Sequence, residues 1–232
     1  MLELNDFDVL SFDCYGTIID WERGILAALT PVFDAHGIAV AENRALELFG
    51  ELETEIESGD YVEYHIVLQR VLREMGKRLG FTPSTALQQR FADSVGDWPA
   101  FADSAQALKS LQRKYKLAII SNVDDDLFAR TAKKLDITFD FIITAQQVRS
   151  YKPSPNNFER AFARIGVPRV RQLHVAQSLF HDIGPARRLG LSTVWVNRRR
   201  GKNGAGATPP ALATPDLEVP DLATLARQVE LL

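Results

Sequence analysis

The sequence predicts an α/β protein in which a doubly wound parallel sheet carries an all-helical insertion after its first strand. Three observations lead there. Five short apolar runs, VLSF (9–12), KLAII (116–120), FDFIIT (139–144), QLHVA (172–176) and STVWVN (192–197), are rich in β-branched and aromatic residues and lack strict polar alternation. Strands covered on both faces read this way. Stretches of helical period separate most of these runs, which calls for right-handed crossovers and parallel strands. Between residues 21 and 95, by contrast, no convincing strand occurs.

Taken in order, VLSF opens the sheet and a series of helices follows it: ERGILAALTPVFDAHG, ENRALELFGELETEIE, DYVEYHIVLQRVLREMGKRLG and STALQQRFADSV. The expected division is a core of residues 1–17 and 96–232 with a helical cap, a lid, at 18–95. In the core, helical period at 103–114, 124–134, 155–165 and 182–189 alternates with the remaining strands. The segment 197–216 mixes Arg, Gly and Pro without period and is expected to be a mobile loop, before a last amphipathic helix at about 221–231. No internal repeat is present.

Bulk properties narrow the partners. The chain of 232 residues is long enough for a full core, and 27 basic against 30 acidic side chains give a formal charge of −3. No basic block supports binding to nucleic acid or to a membrane surface, so a small molecule is the expected ligand. The single cysteine, Cys14, excludes an internal disulfide and, with four scattered histidines, a zinc cluster. The N-terminus lacks a signal-peptide pattern and no run of about 18 apolar residues occurs, so a reducing cytoplasm is the expected compartment. Apolar stripes on the cap helices leave room for a homodimer.

Ligands of an open parallel sheet bind outside the carboxyl ends of its strands. Asp13 follows the first strand, Ser121 and Asn122 the second, Lys152 lies beyond the third, and Gln177 with Asp182 follows the fourth. Each has a plainer reading: Asp13 as a turn residue before Gly16, Ser121, Asn122 and Asp182 as helix caps, Lys152 as a loop lysine, and Asp124, Asp125 and Asp126 as complements of a helix dipole. Their convergence on one edge favours a carboxylate nucleophile with an anion holder.

These segments, "FDCYGTIID", "IISN", "YKPSP" and "HVAQSLFHDIGPARRLGL", in this order and spacing, resemble the four motifs of the haloacid dehalogenase superfamily. The resemblance covers nearly the whole chain and implies a Rossmann-like core with a helical cap. It implies Asp13 as the nucleophile that forms a covalent intermediate, with Lys152 neutralising charge beside it and Asp182 activating water. Tyr15, Thr17, Ser121, Asn122 and Gln177 would hold the first loop or the substrate.

Phosphatases of this superfamily carry a second Asp two residues after the nucleophile, because an alkoxide leaving group needs a proton. That position is Tyr15, whose reference pKa of about 10 makes it a poor acid near neutral pH. Halide leaves without a proton. "DCYGT" therefore resembles the L-2-haloacid dehalogenase branch, and no metal or other cofactor is expected to be required. The alternative is a Mg²⁺-dependent phosphatase holding the ion through Asp13 and Asp182, although Gln177 stands where an acid is usual. A non-catalytic binding protein ranks third.

The sequence departs from the dehalogenase pattern in four places. Gly50 falls near the place of a cap arginine, Phe158 replaces a tyrosine, Leu179 an asparagine and Gln177 a serine. Arg44, Tyr15, Trp21 and Tyr64 are the candidates to stand in for the arginine, while His174 is expected to be structural and His181 to border the site.

Overall fold

The computed structural model describes residues 2–230. Six strands, β1 (Val9–Phe12), β2 (Lys116–Ser121), β3 (Phe141–Thr144), β4 (Gln172–Ala176), β5 (Ser192–Val196) and β6 (Leu217–Val219), form one parallel sheet in the order β3-β2-β1-β4-β5-β6. Between β1 and β2 come α1 (Trp21–Ala35), α2 (Glu42–Glu57), α3 (Tyr64–Leu79), α4 (Thr85–Asp93) and then α5 (Ser104–Leu111). Helices α6 (Asp125–Leu135), α7 (Ala145–Val148), α8 (Pro155–Ile165), α9 (Gly184–Arg188) and α10 (Leu222–Glu230) complete the chain. The expected α/β sheet with an all-helical cap inserted after its first strand is the architecture observed.

The missing alternation in the strands has a direct cause. Along β2, Leu117 and Ile119 join the larger apolar cluster, which continues into the cap through Phe49, Leu68 and Leu72. Ala118 and Ile120 face the other way, onto Phe158 and Ala161 of α8. Both faces are covered, so neither demands polar residues.

Chain order reverses at β1, which pairs with β2 on one side and β4 on the other. That reversal opens a crevice at the carboxyl ends of these three strands. Phe12 lies level with Ile119 and Val175, and the Asp13 backbone N–H donates to Val175 O at 3.2 Å, so Asp13 emerges in the crevice.

The cap is fastened to the core at the same edge. Asp124, which precedes α6, makes no capping bond within that helix and instead accepts the backbone N–H groups of Tyr64 (2.9 Å) and His65 (3.0 Å). It therefore caps α3 from across the crevice, a role that the dipole reading of Asp124 did not contain. The Tyr151 hydroxyl donates to Val62 O at 2.8 Å, a second tie.

Several expectations shift. β6 is absent from the sequence reading, β3 pairs only from Phe141, and the helix expected at 182–189 begins earlier as a π turn over Leu179–Ile183 before α9. α10 runs over Leu222–Glu230, with residue 231 of the expected helix outside the described residues. Up to β6, the segment expected to be mobile holds no helix or strand, yet it is moored. Arg198 donates to Thr17 O and Asp103, Arg199 pairs with Glu22, and Ala207 is fully buried. No helix among the described residues is long and apolar enough to cross a membrane.

Candidate active site

β1 ends at Phe12, and the chain turns through Gly16, whose φ of +96° favours glycine and where a Cβ would lie 3.0 Å from Trp21 Nε1 and 3.1 Å from Gln177 Oε1. The turn brings Thr17 back under Asp13, and the Thr17 hydroxyl donates to Asp13 Oδ2 at 2.7 Å. Thr17 Oγ1 also accepts the Gln177 backbone N–H at 2.9 Å, which ties the loops after β1 and β4 together.

Lys152 is the hub of the site and is only 1% exposed. Its ammonium donates to Asp13 Oδ1 at 2.9 Å, Asp182 Oδ1 at 2.6 Å and Ile120 O at 2.8 Å, so all three protons have acceptors. Asn122 holds the lysine backbone: its Oδ1 accepts Lys152 N–H (2.7 Å) and its Nδ2 donates to Lys152 O (3.0 Å). Burial alone would lower the lysine pKa, but the two carboxylates outweigh it and raise it.

Asp182 is fixed from behind as well. His174 Nε2 lies 3.0 Å from Asp182 Oδ1, and His174 Nδ1 lies 2.9 Å from Ser11 Oγ. This arrangement is satisfied when Nε2–H donates to the carboxylate and the serine hydroxyl donates to Nδ1. Phe158 packs its ring edge-to-face on His174 at 5.1 Å, so it supports the histidine from the apolar side. Burial raises the Asp182 pKa, yet Lys152 and His174 together hold it down to about 2. Asp13 is pushed the other way, upward, because burial outweighs the pull of Lys152 and Asp182 adds repulsion. The pair therefore differs: Asp182 is the firmly ionised group and Asp13 the more basic one.

One cavity is lined by Asp13, Tyr15, Ser121, Asn122, Lys152, Gln177 and Asp182. Of the eight residues singled out in the sequence, only Thr17 does not line it, lying beneath Asp13 instead. The cavity leaves about 30 Å³ for the centre of a water-sized sphere, enough for roughly two waters. Three buried oxygens on its wall, Glu57 Oε1, Ser121 Oγ and Asp182 Oδ2, have no hydrogen-bond partner, which marks them as groups that await a ligand.

The opposite wall comes from the cap and from the moored loop: Trp21, Glu53, Glu57, Tyr64 and Thr208. Glu53 and Glu57 were missed in the sequence, although Glu53 falls on the apolar stripe of α2 with Leu46, Phe49 and Leu52. An acid in that stripe is the signal that was available. Trp21 and Tyr64, two of the candidates to stand in for the arginine, both border the cavity. Arg44 does not; it is exposed and pairs with Glu51 at 3.1 Å. His181 does border it, and burial lowers its pKa to about 4. The place near Gly50 is closed to any side chain, because a Cβ there would lie 2.4 Å from Ala207 O.

Tyr15 supplies no proton to this cavity. Its hydroxyl bonds with Thr131 Oγ1 at 3.0 Å, and burial pushes its pKa well above the ordinary phenol value. Nor do the residues fit a resident Mg²⁺ well. The Lys152 ammonium takes one oxygen each of Asp13 and Asp182 and already neutralises the pair, and Gln177 Oε1, a neutral donor to a cation, accepts from Thr208 at 3.2 Å.

A family profile described as haloacid dehalogenase-like hydrolase matches residues 7–190, most of the chain. The chain belongs to this hydrolase family. Among curated relatives, an (S)-2-haloacid dehalogenase of Pseudomonas putida is 26% identical over 193 residues, covering 82% of this chain and 84% of that protein. The (S)-2-haloacid dehalogenase 4A of Burkholderia cepacia is 27% identical over 193 residues, covering 81% and 82%. In structure, the L-2-haloacid dehalogenase of Xanthobacter autotrophicus superposes with a TM-score of 0.81 at 23% identity, over 97% of this chain and 98% of that one. This last likeness speaks for a shared haloacid dehalogenase fold.

Proposed function

We propose that this haloacid dehalogenase-like hydrolase displaces halide from a small L-2-haloacid in the cytoplasm, with Asp13 as nucleophile and without a metal or other cofactor. The observation that carries the reading is the pairing of a cation-held Asp13 with a Tyr15 whose hydroxyl is committed to Thr131. Such a site attacks well and lacks the acid that a phosphate ester needs at that position. The haloacid dehalogenase relatives support the substrate class, and one structure of the Xanthobacter enzyme carries chloropropionic acid covalently bound.

In the first step an Asp13 carboxylate oxygen attacks the carbon bearing halogen, the C–O bond forms and the halogen leaves with its electron pair. Lys152 and Thr17 aim the attacking group. Ser121 Oγ, buried and unpartnered, donates to the substrate carboxylate, with Asn122 fixing the loop and Tyr15 and Gln177 bounding the substrate. In the second step water adds to the Asp13 ester carbonyl. The free Oδ2 of Asp182 orients that water and takes its proton, with His174 holding the other oxygen. As the adduct collapses the ester C–O bond breaks, Asp182 returns its proton to the departing oxygen, the 2-hydroxy acid leaves, and Asp13 loses the remaining proton to water and is restored as the carboxylate. The helices of residues 18–95 act as the cap that excludes bulk water.

The test is halide release from each enantiomer of 2-chloropropionate with a metal chelator present, beside the Asp13→Asn variant. Release from the L form by the wild type alone supports the proposal. Metal-dependent phosphate release from an aryl phosphate, with no halide release from a panel of 2-haloacids, overturns it.

A further inference from the structure

In-line displacement sends the leaving group to the side of the carbon opposite Asp13, which is the cap side. There α2 presents Glu53 and Glu57, one helical turn apart, and the described cap residues lining the cavity include no cation. Lys152 cannot reach across, since its three protons are held by Asp13, Asp182 and Ile120 O. The Tyr64 hydroxyl donates to Glu53 Oε1 at 2.5 Å.

Glu57 is placed differently. Its Oε2 accepts from Asn122 Nδ2 at 3.1 Å, whereas its Oε1 is buried without a partner. Glu57 also stands at a neck: together with Lys152 and His181 it borders both the inner cavity and an outer groove formed by Tyr61, Arg149 and Phe180.

We propose that Glu57 is the leaving-group site, its Oε1 donating the hydrogen bond that receives the departing halide where related dehalogenases would use a cap arginine. The inference rests on the reading of the reaction as halide displacement. Electrons balance without a proton transfer: the C–O bond to Asp13 forms, the bond to halogen breaks, and the halide keeps the electron pair. The proton stays on Glu57 throughout, bonded to the halide.

Donation requires the neutral carboxyl. Burial pushes the Glu57 pKa well above the usual range and Glu53 adds to it, while Asn122 and Lys152 pull against. The groups facing it are Glu53 on α2, Tyr64 on α3, Asn122 after β2, Tyr151 and Lys152 before α8, and the neutral His181 after β4. Where Glu53 ionises, its charge favours the neutral form of Glu57.

Bromide is the probe, since it is both a product and a stable ion. Calorimetric bromide binding would be measured on the wild type, Glu57→Gln and Glu57→Ala, alongside halide release from L-2-bromopropionate and L-2-chloropropionate across pH. Gln keeps a neutral donor, so it should bind bromide as the wild type does and lose the alkaline limb of the wild-type rate profile. Ala should bind bromide at least about tenfold more weakly, as a lost hydrogen bond to a charged partner predicts. Its kcat should fall by about 100-fold on the scale of a deleted oxyanion donor, more for chloride than for bromide, with KM little changed.

Bromide affinity that is absent in the wild type or unchanged in Glu57→Ala overturns the inference. So does equal loss of rate in both variants, which would make Glu57 an anion, and so does equal loss for both halides, which would make it only structural. The two readings separate. Bromide held through Glu57 with no haloacid turned over sinks the proposed reaction and keeps the ion site, while haloacid turnover with bromide indifferent to Glu57 sinks this inference alone.

Discussion

Replacing Lys152 by Met removes one charge and three hydrogen bonds from a buried polar cluster while keeping the length of the side chain. In the wild type the ammonium satisfies Asp13, Asp182 and Ile120 O within 2.6 to 2.9 Å. Without it, two buried carboxylates face each other with no cation. Removing one partner of a buried ion pair costs about 3 to 5 kcal/mol. A second route gives a similar scale: holding Asp182 at about 2 instead of 3.8 corresponds to roughly 2.5 kcal/mol, at about 1.4 kcal/mol per pKa unit.

The sign with pH follows. The depressed Asp182 pKa in the wild type contributes stability above the ordinary carboxylate pKa, and this contribution fades as pH falls through about 2. In Lys152→Met only His174 at Asp182 and Thr17 at Asp13 still oppose burial, both carboxyls rise, and the variant recovers as they protonate. Urea unfolding of the two proteins should therefore show a gap of about 3 kcal/mol at neutral pH that narrows clearly by about pH 4.5. A gap below about 1 kcal/mol, or one that does not change with pH, would refute the reasoning that Lys152 holds two ionised carboxylates.

Burial raises the Glu53 pKa from 4.5 to about 8, so the folded protein binds this proton more tightly than the unfolded chain, and wild-type stability should decline between those pH values. Glu53→Gln should flatten that decline, worth at most about 5 kcal/mol, and parallel thermal unfolding curves at low and high pH for the two proteins would contradict it. Gly50→Ala forces a methyl group against Ala207 O and should cost about 1 to 3 kcal/mol while loosening the moored loop, so trypsin should cut near Arg199 and Arg200 faster than in the wild type. An unchanged digestion rate and melting temperature would contradict that. Tyr15→Asp puts a carboxyl where the family's phosphatases keep their acid and should raise phosphate release from an aryl phosphate; a folded variant with no gain counts against the leaving-group argument.

The core of the fold was legible because strand burial on both faces leaves continuous apolar runs such as KLAII. β6 was not, since three residues carry too little pattern to rise above a Pro-rich neighbourhood. The residues at the strand ends were legible for a related reason: a parallel sheet brings everything just beyond its carboxyl edge together, so Asp13, Ser121, Lys152 and Asp182 could be grouped from their spacing. What the cap contributes depends on which face of α2 and which part of the loop after β5 turn inward. Glu57 lies at the last position of its helix, Asp124 serves α3 rather than its own helix, and Thr208 reaches Gln177 from a stretch without period. These pairings cross long sequence separations and have no local signature.

The central claim, that Asp13 itself is esterified, is tested most directly by a single turnover with excess enzyme in water labelled with heavy oxygen, followed by mass analysis of the product and of the peptide containing Asp13. The account predicts that the label enters Asp13 and that the 2-hydroxy acid formed carries the unlabelled oxygen of the carboxylate. Label found in the product hydroxyl, with none in Asp13, would contradict it.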